Sequence, residues 1–106
     1  MSKKTIMLVC SAGMSTSMLV TKMQQAADDQ GIDAEIFAVG ASDADNNLAT
    51  KDVDVLLLGP QVRFMKGQFE AKLADKGIPL EVIEMKDYGT MNGKNVLNQA
   101  LELIEG

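Results

Sequence analysis

A chain of 106 residues with one cysteine, no histidine and a formal net charge of -5 is long enough to bury one core without disulfides or a structural metal, so one domain spanning residues 1–106 is expected. The charge, with no run of Lys or Arg, argues against nucleic acid and against an anionic membrane surface, because both are bound through clustered cations. Absence of His removes Cys/His zinc sites, the commonest general base and the commonest phosphorylated nucleophile of protein relays, and no cofactor is called for.

The opening residues, Met-Ser-Lys-Lys-Thr-Ile-Met-Leu-Val-Cys, place two lysines before an apolar run too short for a signal peptide or a membrane span, and the expected compartment is a reducing cytoplasm. Ile6 to Val9 is continuously apolar, the pattern of a strand buried on both faces of a parallel sheet. Leu19, Val20, Met23, Ala26 and Ala27 then follow a helical period, which Gly31 stops before a weaker strand run, Ala34 to Val39. Ala41 to Thr50 is short and polar and reads as a short helix, with Ser42 as its N-cap and Ala44, Leu48 and Ala49 on its apolar side. Val53 to Leu58 is a second continuous apolar run and pairs with the first at the centre. Val62, Met65, Phe69 and Leu73 mark a third helix. Gly77-Ile78-Pro79 stops it before the strand Leu80 to Met85, and Leu97, Ala100, Leu101 and Ile104 mark the last helix.

Strand and helix alternate throughout, which right-handed crossovers fold into an α/β domain, an open four-stranded parallel sheet with helices on both faces. If strand 1 pairs with strands 2 and 3, the order is 2-1-3-4. Ligand sites in such sheets lie at the carboxyl ends of the strands flanking the point where the winding reverses, here Cys10 and Gly59.

Between strand 1 and helix 1 stands Cys10-Ser11-Ala12-Gly13-Met14-Ser15-Thr16-Ser17, small and hydroxylated almost throughout. Small side chains let the backbone curl, and curled N–H groups at a helix N-terminus make a phosphate cradle without cations. A thiol at its lip has its anionic form favoured and becomes a nucleophile near neutrality. Backbone N–H groups with the hydroxyls of Ser11, Ser15, Thr16 and Ser17 can supply the positioning and charge stabilisation that phosphoryl transfer needs. Ser15 or Thr16 serves equally well as a helix cap. By residue type alone Cys10 reads as a buried structural thiol; its place before a Gly-containing loop at the switch point favours chemistry.

The low-molecular-weight tyrosine phosphatases also use a strand-end Cys and a loop before a helix, and their pattern places Arg six residues after the Cys. Here that position is Thr16, and the chain's only arginine is Arg63. Asp87 could be nominated as the general acid, but without the arginine efficient ester hydrolysis is not expected. The segment Leu8-Val9-Cys10-Ser11-Ala12-Gly13-Met14-Ser15-Thr16-Ser17 resembles the active-site segment of enzyme IIB, lactose/cellobiose family, of the phosphoenolpyruvate-dependent sugar phosphotransferase system, most closely its cellobiose/chitobiose branch. The resemblance extends through Leu57-Leu58-Gly59-Pro60-Gln61 and Tyr88-Gly89 to the final helix. It implies that Cys10 takes a phosphoryl group from a phosphohistidine of enzyme IIA and passes it to a disaccharide held by membrane-embedded enzyme IIC, with the loop from Ser11 to Ser17 binding phosphate. A noncatalytic anion-binding module and a purely structural domain remain as alternatives.

Several further positions are candidates. Pro60 can sit at the first turn of helix 3 and stiffen the rim beside Cys10, and Gln61 could donate to a phosphate oxygen or simply be solvated. Tyr88 follows strand 4, farther from Cys10, and either touches the rim or packs at the sheet edge. At about 100° per residue Met18 points some 140° away from the stripe centred on Met23 and should be exposed. With Met14 it would flank the thiol with flexible thioethers suited to docking two partners in turn. Lys22 and Lys66 could add attraction or stand solvated.

Overall fold

The computed structural model describes residues 3–10 and 14–105, with the side chains of residues 14 and 15 outside that description. The strands are β1 (Lys4–Cys10), β2 (Ala34–Gly40), β3 (Val55–Leu58) and β4 (Leu80–Val82), all parallel and in the order β2-β1-β3-β4. The helices are α1 (Met14–Asp29), α2 (Ala44–Thr50), α3 (Lys66–Leu73), α4 (Met85–Gly89) and α5 (Gly93–Glu105). Among the described residues no helix is long and apolar enough to cross a membrane.

The central strands alternate between two apolar layers. Ile6, Leu8, Val55 and Leu57 face Leu19, Met23 and Ala27 of α1 and Val96, Leu97 and Ala100 of α5. Met7, Val9, Leu56 and Leu58 face Ala44 and Leu48 of α2, Val62, and Phe69 and Leu73 of α3. Both faces of β1 and β3 are therefore covered, which is why these runs are apolar without a break.

Gly31 and Gly77 do stop helices, at φ 69° and 67°. After α1, Ile32 N–H donates to the Ala27 carbonyl at 2.8 Å and Gly31 N–H to the Asp28 carbonyl at 3.2 Å, the paired bonds of a Schellman end.

Four sequence expectations need correction. The regular ladder of β3 begins at Val55 and not Val53, because Asp54 bonds to Thr5 in its own way: its carboxylate accepts the Thr5 N–H at 2.7 Å while its N–H donates to the Thr5 carbonyl at 2.9 Å. β4 ends at Val82, and Met85 opens the unanticipated α4, whose Tyr88 N–H returns to the Glu84 carbonyl at 2.9 Å. The third helix starts as a 3-10 segment, Pro60–Met65, with a non-helical Val62 (φ -115°, ψ 21°) before α3. In the short helix a 3-10 turn, Ala41–Asp43, precedes α2; Ser42 does not cap it, since Gly40 and Asp43 hold the cap positions without side-chain bonds, and Ala49 is exposed.

Candidate functional site

β1 delivers Cys10 to the carboxyl edge of the sheet at the place where the winding reverses. Its partner across β2 is Gly40. On the other side Gly59 follows β3, one residue past the Val9–Leu58 pair, and its N–H donates to the Val9 carbonyl at 2.8 Å. The thiol is thus flanked on both sides by glycine. A β-carbon at Gly59 would stand 3.6 Å from Cys10 Cβ and 2.8 Å from Gln61 Oε1, so the bare backbone is what leaves room beside the sulfur.

Below the thiol lies Thr16, in the first turn of α1. Its Oγ1 is 3.1 Å from Cys10 Sγ. Cys10 is 1% exposed and Thr16 is 0% exposed, the only polar side chain buried among the described residues. A buried hydroxyl is tolerable when hydrogen-bonded, and the sulfur is a partner. A thiolate has no proton to give, so in that state the hydroxyl is the donor. Thr16 occupies the position that carries arginine in the phosphatase pattern, and Arg63 is exposed in the 3-10 segment after β3.

Of the expected rim, Pro60 is buried at the start of that segment, and Gln61 and Tyr88 are joined. Gln61 Nε2 donates to the Tyr88 hydroxyl at 2.8 Å. Tyr88 packs against the α1–α5 layer, and its hydroxyl accepts from the side chain whose Oε1 lies beside Gly59. The turn into α4 makes this reach possible. Asp87 instead faces α5, accepting from Asn95 Nδ2 at 3.2 Å.

Met18 is 61% exposed, as its helical phase requires. Lys22 is exposed, while Lys66 pairs with Glu81 at 3.4 Å. Expectations for Ser11, Ala12 and Gly13, and for the side chains of Met14 and Ser15, fall outside the described residues; Ser17 is exposed on α1. Two exposed apolar residues were not anticipated, Phe64 at 78% and Met85 at 65%. They lie on the segments leaving β3 and β4, at the same edge of the sheet as Cys10. Phe64 could have been found by its phase, since it falls outside the Val62, Met65, Phe69, Leu73 stripe.

Fold and site together define a small doubly wound α/β domain with a strand-end cysteine at its switch point, lined among the described residues by glycine and by a hydroxyl. The chain belongs to the PTS system lactose/cellobiose-specific IIB subunit family, whose model matches residues 5–99. It is 54% identical over 107 residues to the PTS system cellobiose-specific EIIB component of Lactococcus lactis subsp. lactis (strain IL1403), covering 98% of this chain and 99% of the relative. It is 53% identical, at the same coverage, to the galactose-specific EIIB component of Lactococcus lactis subsp. cremoris (strain MG1363). The solution structure of a cellobiose-specific phosphotransferase IIB component from Borrelia burgdorferi matches with a TM-score of 0.80 at 42% identity, over 98% of this chain and 94% of that one. The lactose-specific IIB component domain from Streptococcus pneumoniae shares the fold, with a TM-score of 0.85 at 14% identity over 96% and 98% of the two chains.

Proposed function

We propose that this chain is a cytoplasmic protein-cysteine phosphotransferase, in which Cys10 accepts a phosphoryl group from a phosphohistidine of enzyme IIA and passes it to a cellobiose- or chitobiose-like disaccharide bound by enzyme IIC. The observation that carries the reading is the Cys10 thiol at the switch point, between Gly40 and Gly59 and 3.1 Å from the Thr16 hydroxyl. In the first step the thiolate attacks phosphorus, the N–P bond breaks, and its electron pair stays on the donor imidazole. In the second a sugar hydroxyl attacks, the S–P pair returns to sulfur, and the hydroxyl proton goes to a base on the acceptor side. The loop Ser11–Ser17 holds the phosphoryl oxygens in this reading, with Gln61 and Tyr88 at the rim. Relatives of near-equal similarity named for cellobiose and for galactose fit a sugar site that lies outside this domain.

Incubation with phosphorylated enzyme IIA, followed by intact mass and phosphorus NMR at neutral pH, tests the reading. One phosphate adduct with an S-bound phosphorus signal is expected; no adduct on the folded protein would refute it.

Hydrolysis of phosphate esters has less support. Thr16 replaces the arginine, Arg63 is exposed, and the Asp87 carboxylate is engaged by Asn95. Steady turnover of an aryl phosphate is therefore expected to stay at the buffer rate, and multiple turnovers dependent on Cys10 would reinstate the phosphatase.

The exposed Met18, Phe64 and Met85, on elements that leave β1, β3 and β4, give the phosphodonor an apolar rim to dock on. Met18→Asp is expected to slow phosphoryl acceptance from enzyme IIA by about tenfold, through weaker docking, at unchanged melting temperature. Transfer at the wild-type rate would remove Met18 from the interface.

A further inference from the structure

The hydroxyls of Thr21, Thr50 and Thr90 each donate to the carbonyl four residues earlier, at 3.2, 2.9 and 2.8 Å. Such bonds are local and common for threonine in helices. The Thr16 hydroxyl also reaches out of α1, to a sulfur on β1, at 3.1 Å and away from water. A Val of the same shape would fill that site without burying a hydroxyl.

Sulfur changes as an acceptor during the reaction. As a thiolate it is an anion, and a hydrogen bond to it is charge-assisted. In phosphocysteine it is a neutral, two-bonded sulfur and a weak acceptor, like a thioether. Any donor fixed against it stabilises the discharged form more than the charged one. It also stabilises the negative charge that builds on sulfur as the S–P bond breaks.

We propose that Thr16 is the leaving-group residue of this carrier: its hydroxyl stabilises the Cys10 thiolate as the phosphoryl group departs, and so sets how readily phosphocysteine gives up its phosphate. This rests on the phosphocarrier reading and goes beyond it, since it assigns Thr16 to the sulfur rather than to the phosphoryl oxygens. Thr16 acts on the sulfur, the leaving atom of the breaking bond. The cradle can then store phosphate without a cation and still release it, because help with departure comes from a hydroxyl built into the protein core.

The test compares wild type with Thr16→Val, Thr16→Ser and Thr16→Ala. After phosphorylation and removal of the donor, the phosphocysteine of Thr16→Val is expected to decay about tenfold more slowly than that of wild type, the scale of losing one hydrogen bond to a charged atom. Thr16→Ser, which keeps the hydroxyl, should decay within about twofold of wild type. Thr16→Ala should follow Thr16→Val, and it decides the matter if the Val variant does not fold. A second readout needs no phosphate: the alkaline rise of thiolate absorbance at 240 nm, corrected with Cys10→Ser, is expected at higher pH in Thr16→Val and Thr16→Ala and to be restored in Thr16→Ser. Wild-type decay and a wild-type absorbance profile in the folded Val or Ala variant would overturn the proposal, as would a Ser variant that behaves like Val. If wild type takes up no phosphate, the carrier reading fails, while the absorbance series still decides whether Thr16 stabilises the thiolate.

Discussion

Cys10→Ser is expected to lower phosphoryl acceptance from enzyme IIA by at least about a thousandfold while leaving the fold intact. A serine hydroxyl is almost entirely protonated near neutrality, and attack on phosphorus then needs a base. The chain has no histidine. Among the described residues the Thr16 hydroxyl lies against the sulfur, and it can share a hydrogen bond but cannot take a proton away for good. Serine is a close fit in the space of cysteine, and Thr16 can partner its hydroxyl, so the stability cost should be no more than about 1 kcal/mol. Intact mass over a time course, with a thermal melt on the same sample, measures both quantities. A phosphate adduct forming on Cys10→Ser at the wild-type rate would mean that another residue is the acceptor. Fragmentation that located the wild-type phosphate on Ser11, Ser15 or Ser17 would mean the same.

The layered fold was readable because its strongest signals do not depend on partners. Ile6 to Val9 and Val55 to Leu58 are wholly buried, and a strand covered on both faces has little choice but to be continuously apolar. Gly31 and Gly77 were readable for a similar reason, since a left-handed residue ending a helix favours glycine. The position of Cys10 was legible as the end of a buried strand beside the switch point. Gly59 was named at that edge, and Gly40 could also have been matched as a flank, because it too directly ends a strand run, Val39-Gly40.

What escaped is set by side chains that meet across elements. Asp54 disguised the start of β3 because its carboxylate supplies an acceptor that periodicity does not count. α4 is only five residues long, too short for a helical period to show, and without it Tyr88 could not be brought to Gln61. Thr16 was legible as one hydroxyl of the small-residue segment after β1. That it faces sulfur follows from how α1 sits on β1, and α1 is held there by its packing against α5.

That packing includes a close approach at Gly93, and changing it is expected to give the largest stability loss of any one-methyl substitution proposed for this chain. Gly93, the first residue of α5, is buried against the backbone of α1. A β-carbon there would stand 2.6 Å from Met23 N and 2.7 Å from Lys22 Cβ, and closer still to the Lys22 carbonyl carbon. Two of these atoms are backbone and the third is a β-carbon, so no rotamer change can clear them. The helices must part instead, and the contact of Leu19, Met23 and Ala27 with Val96, Leu97 and Ala100 loosens with them. Gly93→Ala should therefore cost about 3 kcal/mol, the upper end for an added methyl group in a packed core. For a domain of this size that lowers the melting temperature by roughly 15 °C. The control is Gly67→Ala. Gly67 lies in α3 with nothing within 4 Å of the added carbon, so the same methyl group should stabilise by about 0.5 kcal/mol through helix propensity. Thermal melts of the two variants against wild type measure opposite signs if the close approach of α5 to α1 limits the structure. Equal melting temperatures for Gly93→Ala and wild type would show that the two helices have slack to give, and Thr16 would then be held under Cys10 by its own turn of α1 rather than by the helix behind it.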